Sequence, residues 1–246
     1  MKGIELIPVD GFPEVRPGDD LEGLIAGAIE DTLRSGDVLV VTHKIMSKAE
    51  GRLVDLRTVE PSALAKGYAA RWGKDPRQIE VVFRESRRVV RMDRGVVISE
   101  THHGFVCANA GVDASNVAPG WVCLLPLDPD LSARRLKARL RHLTGADVAV
   151  VISDTFGRTW RQGQTNVAIG VAGIDPFLDY RGQRDSFGNE LSATIICVAD
   201  ELAGAAELVM GKSTGRAAAL IRGAGVSRGP GSAAGIVRPP EEDLFR

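Results

Sequence analysis

The sequence predicts a mixed α+β fold, with mixed sheets and flanking helices. Segments in which apolar residues recur at helical spacing alternate with short runs of β-branched residues. Several strand-like runs follow one another directly, and no regular βαβ repeat can be traced. With 246 residues, 44% of them hydrophobic, the chain can bury a substantial core. We therefore predict a single domain over residues 1–246. Residues 223–246 are expected to form a mobile Gly-rich connection and acidic tail.

In the first half of the chain, capping residues and apolar spacing predict the elements. Asp19 can cap a helix over 21–33, which Gly36 ends. Pro76 after Asp75 is typical of the first turn of a helix, and β-branched or aromatic residues between turn residues indicate strands. The predicted elements are a helix at 21–33, a strand at 38–42, a polar turn at 47–52, helices near 62–72 and from 75, and strands at 89–90, 96–98 and 105–106.

The second half continues with the same alternation. An amphipathic helix over 132–143, ended by Gly145, carries basic residues that indicate a solvated face rather than a ligand site. The remaining predictions are strands at 148–152, 166–171 and 191–198, a helix at 199–210 and a last strand at 217–221.

Charge and composition exclude several classes of protein. The 31 basic and 32 acidic residues give a net charge of -1, so nonspecific nucleic-acid binding is not expected. The longest apolar stretches are too short to span a bilayer. The N-terminus has acidic and turn residues where a signal peptide needs a continuous apolar region, which indicates a cytoplasmic protein. The cysteines at 107, 123 and 197 lack CxxC spacing and are predicted to be reduced core residues.

The segment 148–170 carries the strongest chemical signal. An apolar run ends at Asp154 and Thr155, where the chain is expected to leave the sheet, and Gly157 would allow a sharp turn. A carboxylate and a hydroxyl at a strand end suit a hard cation such as Mg²⁺ or Mn²⁺. The alternative is an ordinary helix cap or turn. Two arginines that follow, Arg158 and Arg161, are of the kind that binds phosphate or carboxylate.

The segment 105–116 has the same layout and offers a second acid, Asp113, after a short strand. Two carboxylates cannot lie close together without a cation or a shared proton, so proximity of Asp113 and Asp154 would favour a shared metal ion. The alternative is an Asx-type turn whose polar side chains satisfy only their own backbone.

The segment 210–216, MGKSTGR, ends like a phosphate-binding loop but lacks the earlier glycine and follows a helix, so it is not a P-loop. Its glycines, hydroxyls and basic residues could hold a nucleotide phosphate or base. The alternative is a helix C-cap, in which Gly211 is left-handed and Lys212 interacts with the helix dipole.

Seven separated motifs resemble those of the coenzyme F420:L-glutamate ligase family, in order and over nearly the whole chain. They are DGFP (10–13), VTHKIMSKAEGR (41–52), CANAGVDASN (107–116), LLPLDPDLSA (124–133), ISDTFGRTWRQGQTNVAIGVAG (152–173), DYRG (179–182) and VADELAGAAELVMGK (198–212).

This resemblance implies an enzyme that adds L-glutamate to coenzyme F420-0 with GTP, extends a γ-linked tail, and uses a divalent metal ion assisted by K⁺. It also implies an intertwined homodimer. A carboxylate is a poor acyl donor, so the γ-phosphoryl group of GTP would first be placed on it, giving an acyl phosphate. Two alternatives remain: a regulatory module that binds metal or nucleotide without chemistry, and a ligase for another amino acid or acid acceptor.

The resemblance also implies roles for particular residues. The catalytic residues are Asp113, Asp154 and Lys48, and the metal ligands are Asp113, Asp154 and Thr155. The GTP-binding residues are Asp10, Gly11, Phe12, Pro13, His43, Lys48, Asn116, Met210, Gly211, Lys212, Ser213, Thr214, Gly215 and Arg216. Two positions depart from the family pattern: His43 stands where relatives often have a small hydroxyl residue, and Lys212 where some have an acid that could help to bind a second metal ion.

A separate hypothesis concerns the phosphodiester and carboxylate of the deazaflavin substrate. Arg158, Arg161 and Arg181 are candidates to bind these anionic groups. The alternative is that the arginines pair with local acids such as Asp179 and Asp185.

Overall fold

The computed structural model describes residues 3–244, and within this range the predicted α+β class is confirmed. The six α-helices are α1 (Leu21–Ile29), α2 (His43–Ala49), α3 (Ala63–Trp72), α4 (Pro76–Arg84), α5 (Pro129–Thr144) and α6 (Val198–Met210). The strands are β1 (Glu5–Val9), β2 (Val38–Thr42), β3 (Leu53–Asp55), β4 (Ser86–Asp93), β5 (Val96–Thr101), β6 (Val106–Ala108), β7 (Trp121–Cys123), β8 (Ala149–Arg158), β9 (Arg161–Ala172), β10 (Phe177–Asp179), β11 (Ile195–Cys197) and β12 (Ala218–Arg222).

A five-stranded sheet in the order β1-β12-β2-β8-β9 forms the centre of the molecule. β2 and β8 run parallel, and the other neighbouring pairs are antiparallel. The side chains of β2 and of the first half of β8 are buried, and α1, α5 and α6 contribute apolar side chains to the same core. Continuous apolar runs of this kind are typical of strands covered on both faces.

A second hydrophobic cluster lies outside the main core. Strands β4, β5 and β6 form a three-stranded antiparallel sheet, and β3 pairs with β7. The buried residues of this cluster are Leu56, Val59, Val81, Val82, Val97, Ala110, Val112, Val122 and Leu124. Because β6 also contacts β8, the second region meets the central sheet close to the strand that carries Asp154.

Helix α1 begins at Leu21 as predicted, but its capping residue lies one position later than predicted. The Asp20 carboxylate, not that of Asp19, accepts the hydrogen bond from the Gly23 amide, at 3.0 Å. Asp19 instead accepts from the Arg16 amide and closes the preceding turn. The helix ends at Ile29 and not at 33, so the predicted length was wrong.

The predicted polar turn at 47–52 was wrong at its start, because helix α2 continues to Ala49. Ser47 and Lys48 are buried although their composition is typical of a loop. The reason is that both polar groups have partners: the Ser47 hydroxyl lies 3.3 Å from Nδ1 of His43, and Lys48 pairs with Glu14.

The chain does not leave the sheet at Asp154, which corrects both the strand-end prediction and its helix-cap alternative. Backbone pairing between β8 and β9 continues from Val150 to Arg158, and the turn lies at 159–160. The parallel neighbour β2 ends at the pair Thr42 and Ser153, so the hairpin projects beyond the sheet from Asp154 onward. The predicted strand at 191–198 was too long, since only Ile195–Cys197 pairs with β10.

The start of α5 is held against β9 by a close backbone approach and a buried acid. A Cβ at Gly170 would lie 2.4 Å from the Pro129 carbonyl oxygen, so this contact requires glycine. The Asp130 carboxylate accepts hydrogen bonds from the amides of Val171 and Ala233, both at 2.8 Å. Part of the Gly-rich connection is therefore fixed to the sheet, while residues 245–246 of the predicted tail lie outside the described residues.

None of the helices in the range 3–244 is both long and apolar enough to cross a membrane.

Candidate functional site

Asp154 is the first residue of β8 beyond its pairing with β2, and its carboxylate faces the start of helix α2. Oδ1 of Asp154 lies 3.3 Å from Nε2 of His43. The next residue, Thr155, donates a hydrogen bond from its hydroxyl to Oδ1 of Asn166 on β9, at 2.7 Å. The cross-strand pairing of Thr155 with Asn166 holds this polar pair in place.

Asp113 lies in the turn after β6 and is held by a cation. Nζ of Lys44 donates to Oδ2 of Asp113 at 2.6 Å, and the Ser115 amide donates to Oδ1 at 2.7 Å. The bond to Oδ1 is that of the predicted Asx-type turn, but the side chain does not satisfy only its own backbone, because Oδ2 accepts from both the Ser115 hydroxyl, at 2.8 Å, and Lys44. Burial would raise the pKa of Asp113, but the hydrogen bonds from Lys44 and Ser115 and the Lys44 charge together hold that pKa below its usual value.

The first two residues of α2 bring the two predicted metal-binding acids to one end of that helix. His43 contacts Asp154, and Lys44 contacts Asp113. Between residues 3 and 244, no group of three or more His, Cys, Asp or Glu side chains is arranged to hold a metal ion. Two carboxylates nevertheless suit Mg²⁺, which often binds through one or two acids plus waters and substrate phosphates.

The two segments with predicted nucleotide contacts, 10–13 and 210–216, lie together in the fold. Nε of Arg216 donates to Oδ1 of Asp10 at 2.7 Å, although the two residues are 206 positions apart. Gly11 has a φ of 84°, which favours glycine in this turn. Helix α6 ends at Met210, and the amide of the C-cap residue Gly211 donates to the Glu207 carbonyl oxygen. The predicted left-handed conformation of Gly211 was wrong, because its ψ is 172°.

The loop after α6 also reaches the β8–β9 hairpin. The ammonium group of Lys212 donates a hydrogen bond to the Thr155 hydroxyl and lies 3.7 Å from the Glu207 carboxylate. It does not cap the helix as the alternative prediction had it; it extends to the strand that carries Asp154. Ser213, Thr214 and Gly215 are exposed at the outer side of this loop.

Lys48 extends from α2 towards the segment that follows the DGFP turn. Its side chain is only 8% exposed, and its Nζ lies 2.5 Å from Oε1 of Glu14, whose side chain is 73% exposed. A buried cation with an accessible counter-ion can exchange that partner for another anion.

Sequence reasoning missed Lys44 and Glu14. Lys44 and Lys48 are spaced i and i+4, so a helix assignment for 43–49 would have placed them on one face of α2.

The three arginines proposed to bind substrate differ in their contacts. Arg181 pairs with Asp179 at 2.6 Å, which favours the local-pair alternative for this residue, and Arg158 donates to the Gln162 carbonyl oxygen at 2.6 Å. Within the described range, no acidic side chain pairs with Arg161, which is exposed on the hairpin. Asn116 is exposed three residues after Asp113, with a φ of 54°.

The cysteines near the two acids are protonated thiols. Burial, with the negative charge of Asp154, raises the pKa of Cys107 to about 12. Burial also raises the pKa of Cys123 to about 11. Both thiols are free and buried, which confirms the prediction that these two cysteines are reduced core residues.

Comparison with known proteins gives one consistent family. The model of the F420-0:Gamma-glutamyl ligase family matches residues 11–223. The coenzyme F420:L-glutamate ligase of Methanopyrus kandleri is 50% identical over 100% of both chains. The enzymes of the same name are 46% identical in Methanothermobacter thermautotrophicus, over 99% of both chains, and 44% identical in Archaeoglobus fulgidus, over 99% of this chain and 96% of the relative. The chain therefore belongs to the F420-0:Gamma-glutamyl ligase family.

Proposed function

We propose that this protein is a GTP-dependent ligase that adds L-glutamate to coenzyme F420-0 and extends a γ-linked glutamate tail. Family membership supports the ligase activity. The observation that carries the proposal is the junction of distant segments: Arg216 contacts Asp10, Lys212 contacts Thr155, and α2 contacts both acids. Basic and acidic side chains from distant segments thus meet at one end of the central sheet, as a site for metal and nucleotide would require.

The proposed nucleotide site lies between the segments 10–13 and 210–216, with Lys48 and His43 at its inner side. The phosphates of GTP would displace the Glu14 carboxylate from Lys48, because a triphosphate carries more negative charge than one carboxylate. A divalent ion such as Mg²⁺ or Mn²⁺ at Asp113 and Asp154 would offset charge on the γ-phosphoryl group. K⁺ belongs to the proposal through the family resemblance alone, and replacement of K⁺ by Na⁺ in the assay tests it.

The proposed reaction has two steps. A carboxylate oxygen of coenzyme F420-0 attacks the γ-phosphorus of GTP, the bond to the β-phosphate oxygen breaks, and GDP leaves. The glutamate amine then attacks the carbonyl carbon of the acyl phosphate, phosphate leaves with the bonding electrons, and the amine proton passes to solvent. Lys48 holds the phosphates in line during the first step, which is electrostatic positioning rather than covalent catalysis.

The proposed substrate contact is made by Arg161. A guanidinium group keeps its charge and can bind a phosphodiester or a carboxylate through two hydrogen bonds. Arg158 and Arg181 have local partners, so they are the weaker candidates among the three.

We also propose that the protein is a homodimer in which the projecting hairpins pack against the second copy. Trp160 at the tip of the β8–β9 hairpin is 80% exposed, and Phe187 in the arm between β10 and β11 is 90% exposed. Large apolar side chains at projecting tips are typical of surfaces that a partner covers. Light scattering coupled to size-exclusion chromatography measures the mass, and a mass near 26.2 kDa would contradict the dimer.

One assay separates the ligase from its two alternatives. With Mg²⁺ and GTP present, GDP and phosphate are expected only when both L-glutamate and the deazaflavin are added. Binding of GTP without its consumption would indicate a regulatory module. If GDP is released with a different amino acid or acid acceptor, mass spectrometry of the product identifies that ligase.

A further inference from the structure

A cluster of oxygen atoms next to Asp154 already contains a positive charge. The ammonium group of Lys212 donates to the Thr155 hydroxyl, and it lies 3.4 Å from Oδ1 of Asn166 and 3.7 Å from Oε1 of Glu207. The three oxygen-bearing side chains come from β8, β9 and α6, whereas Lys212 comes from the loop that follows α6. The positive charge is therefore carried by a loop residue and not by the two strands and the helix that form the cluster.

Hydrogen bonds within the cluster fix its acceptors towards this ammonium group. The Thr155 hydroxyl donates to Oδ1 of Asn166 at 2.7 Å, and the Asn166 amide nitrogen donates to Oε2 of Glu207 at 2.9 Å. Because Asn166 is only 3% exposed, its orientation is fixed by these bonds rather than by water. The remaining lone pairs of the hydroxyl and the amide oxygen then face Lys212.

A hydroxyl, an amide oxygen and a carboxylate are also the ligands that a hard divalent cation takes. A divalent ion within this cluster would lie beside the Lys212 ammonium group and would be repelled by it. The three oxygen-bearing side chains therefore suit a cation, but the Lys212 ammonium group already occupies that position. At the start of α2, Asp113 also pairs with an ammonium group, that of Lys44, whereas the charged-group contact of Asp154 within residues 3–244 is with His43. Asp154 is therefore the acid that remains open to a divalent ion.

We propose that the ammonium group of Lys212 is a tethered cation that takes the place of a second metal ion at the Thr155–Asn166–Glu207 cluster. The chain then binds one divalent ion, at Asp113 and Asp154, and Lys212 supplies the second positive charge to the nucleotide phosphates. This inference rests on the proposed nucleotide and metal site, and it adds to that proposal the number of divalent ions bound per chain.

The test counts bound Mn²⁺ on the full-length protein. The protein is mixed with one equivalent of a non-hydrolysable GTP analogue and titrated with Mn²⁺, and free Mn²⁺ is measured by electron paramagnetic resonance. One ion per chain is expected for the unchanged protein. The variant Lys212→Glu removes the ammonium group and adds a carboxylate, so two ions per chain are expected.

Three further variants make the count specific. Lys212→Gln removes the charge with a small change of shape, and it should bind a second Mn²⁺ more weakly than Lys212→Glu does. Asp154→Asn should lose the first ion. Lys66→Glu is the control, because Lys66 is similarly exposed, 55% against 61%, and pairs with Glu60 in a segment that is distant in sequence from Lys212. This variant should still bind one ion.

The outcomes separate this inference from the function on which it rests. Two ions on the unchanged protein, or one ion on both Lys212 variants, would overturn the tethered cation and leave the ligase proposal intact. No bound ion on the unchanged protein would overturn the metal site, and the tethered cation with it. Circular dichroism of each variant shows whether it is folded before the ions are counted.

Discussion

The two halves of the β8–β9 hairpin share one backbone ladder but differ in what surrounds their side chains. In the inner half, the residues of β8 from Ala149 to Ile152 are at most 1% exposed. In the outer half, Arg158 and Arg161 pair across the ladder and are exposed, and Trp160 at the tip is 80% exposed. Asp154 lies at the boundary. In the outer half, pairing with β9 holds Asp154 and the residues after it in place, whereas burial of the inner half supplies stability.

The boundary has a structural cause in the register of the sheet. Ile152 pairs with Gly170 and Ser153 with Ala168, so Ile169 is an extra residue in β9 at this point. β-Bulges of this kind change the direction of side chains and often lie beside functional sites. Because β2 ends at the same level, opposite Ser153, Asp154 is the first β8 residue without a neighbour on that edge.

The largest expected effect on stability comes from the inner half. Ile152→Ala removes a side chain that is 0% exposed, and the resulting cavity should lower the free energy of unfolding by about 2–5 kcal/mol. Chemical denaturation measures this loss. The matched variant Ile152→Val should cost only about 0.5–1.5 kcal/mol. Equal losses for both variants would contradict a close-packed inner half.

At Asp154, on the boundary, we expect a substitution to lower the reaction rate more than the stability. Asp154→Asn keeps the shape of the side chain but removes the charge that would hold a divalent ion, so kcat should fall about 100-fold or more. The free energy of unfolding should change much less than for Ile152→Ala. Asp93→Asn is the control, at an aspartate in β4 whose side chain is 44% exposed and pairs with Arg91, and it should keep the rate. An unchanged kcat for Asp154→Asn would remove this carboxylate from the site.

The sequence predicted this boundary only in part. The apolar run before Asp154 gave the buried strand, because local composition decides burial there. The continuation of β8 depends on its pairing with β9, which composition at 154–158 does not indicate. The end of β2, which leaves one edge of Asp154 open, likewise follows from a partner more than 100 positions away.

The other site residues also fall into two groups: those that the local sequence predicts and those that depend on distant contacts. The two acids were predicted from their position after strands, and the Asx turn at Asp113 from its local residues. Lys44 was missed because 47–52 had the composition of a turn, and the burial of Ser47 and Lys48 depends on partners such as Glu14. Contacts such as that between Asp10 and Arg216 depend on the whole fold and entered only through the family resemblance.

In the outer half, substrate binding should change more than stability. Arg161→Ala should raise the KM for coenzyme F420-0 at least about tenfold, since a hydrogen bond to a charged group contributes about 1.5–3 kcal/mol. Arg181→Ala is the matched control, because its guanidinium group already pairs with Asp179, and its KM should change little. Steady-state kinetics with varied deazaflavin measures both. An unchanged KM for Arg161→Ala would reject the substrate role.

The tip of the hairpin should contribute least to the stability of the single chain. Trp160→Ser changes a side chain that is 80% exposed, so the free energy of unfolding measured at low protein concentration should shift by no more than about 0.5 kcal/mol. In the proposed homodimer, however, the same indole would be covered by the second copy, and its loss should move the sedimentation profile towards the monomer. Leu208→Ser, at a residue of α6 that is 81% exposed, is the control and should sediment as the unchanged protein does. If the Trp160→Ser variant also sediments as the unchanged protein does, the tip of the hairpin is not part of the dimer interface, and any dimer must form through another surface.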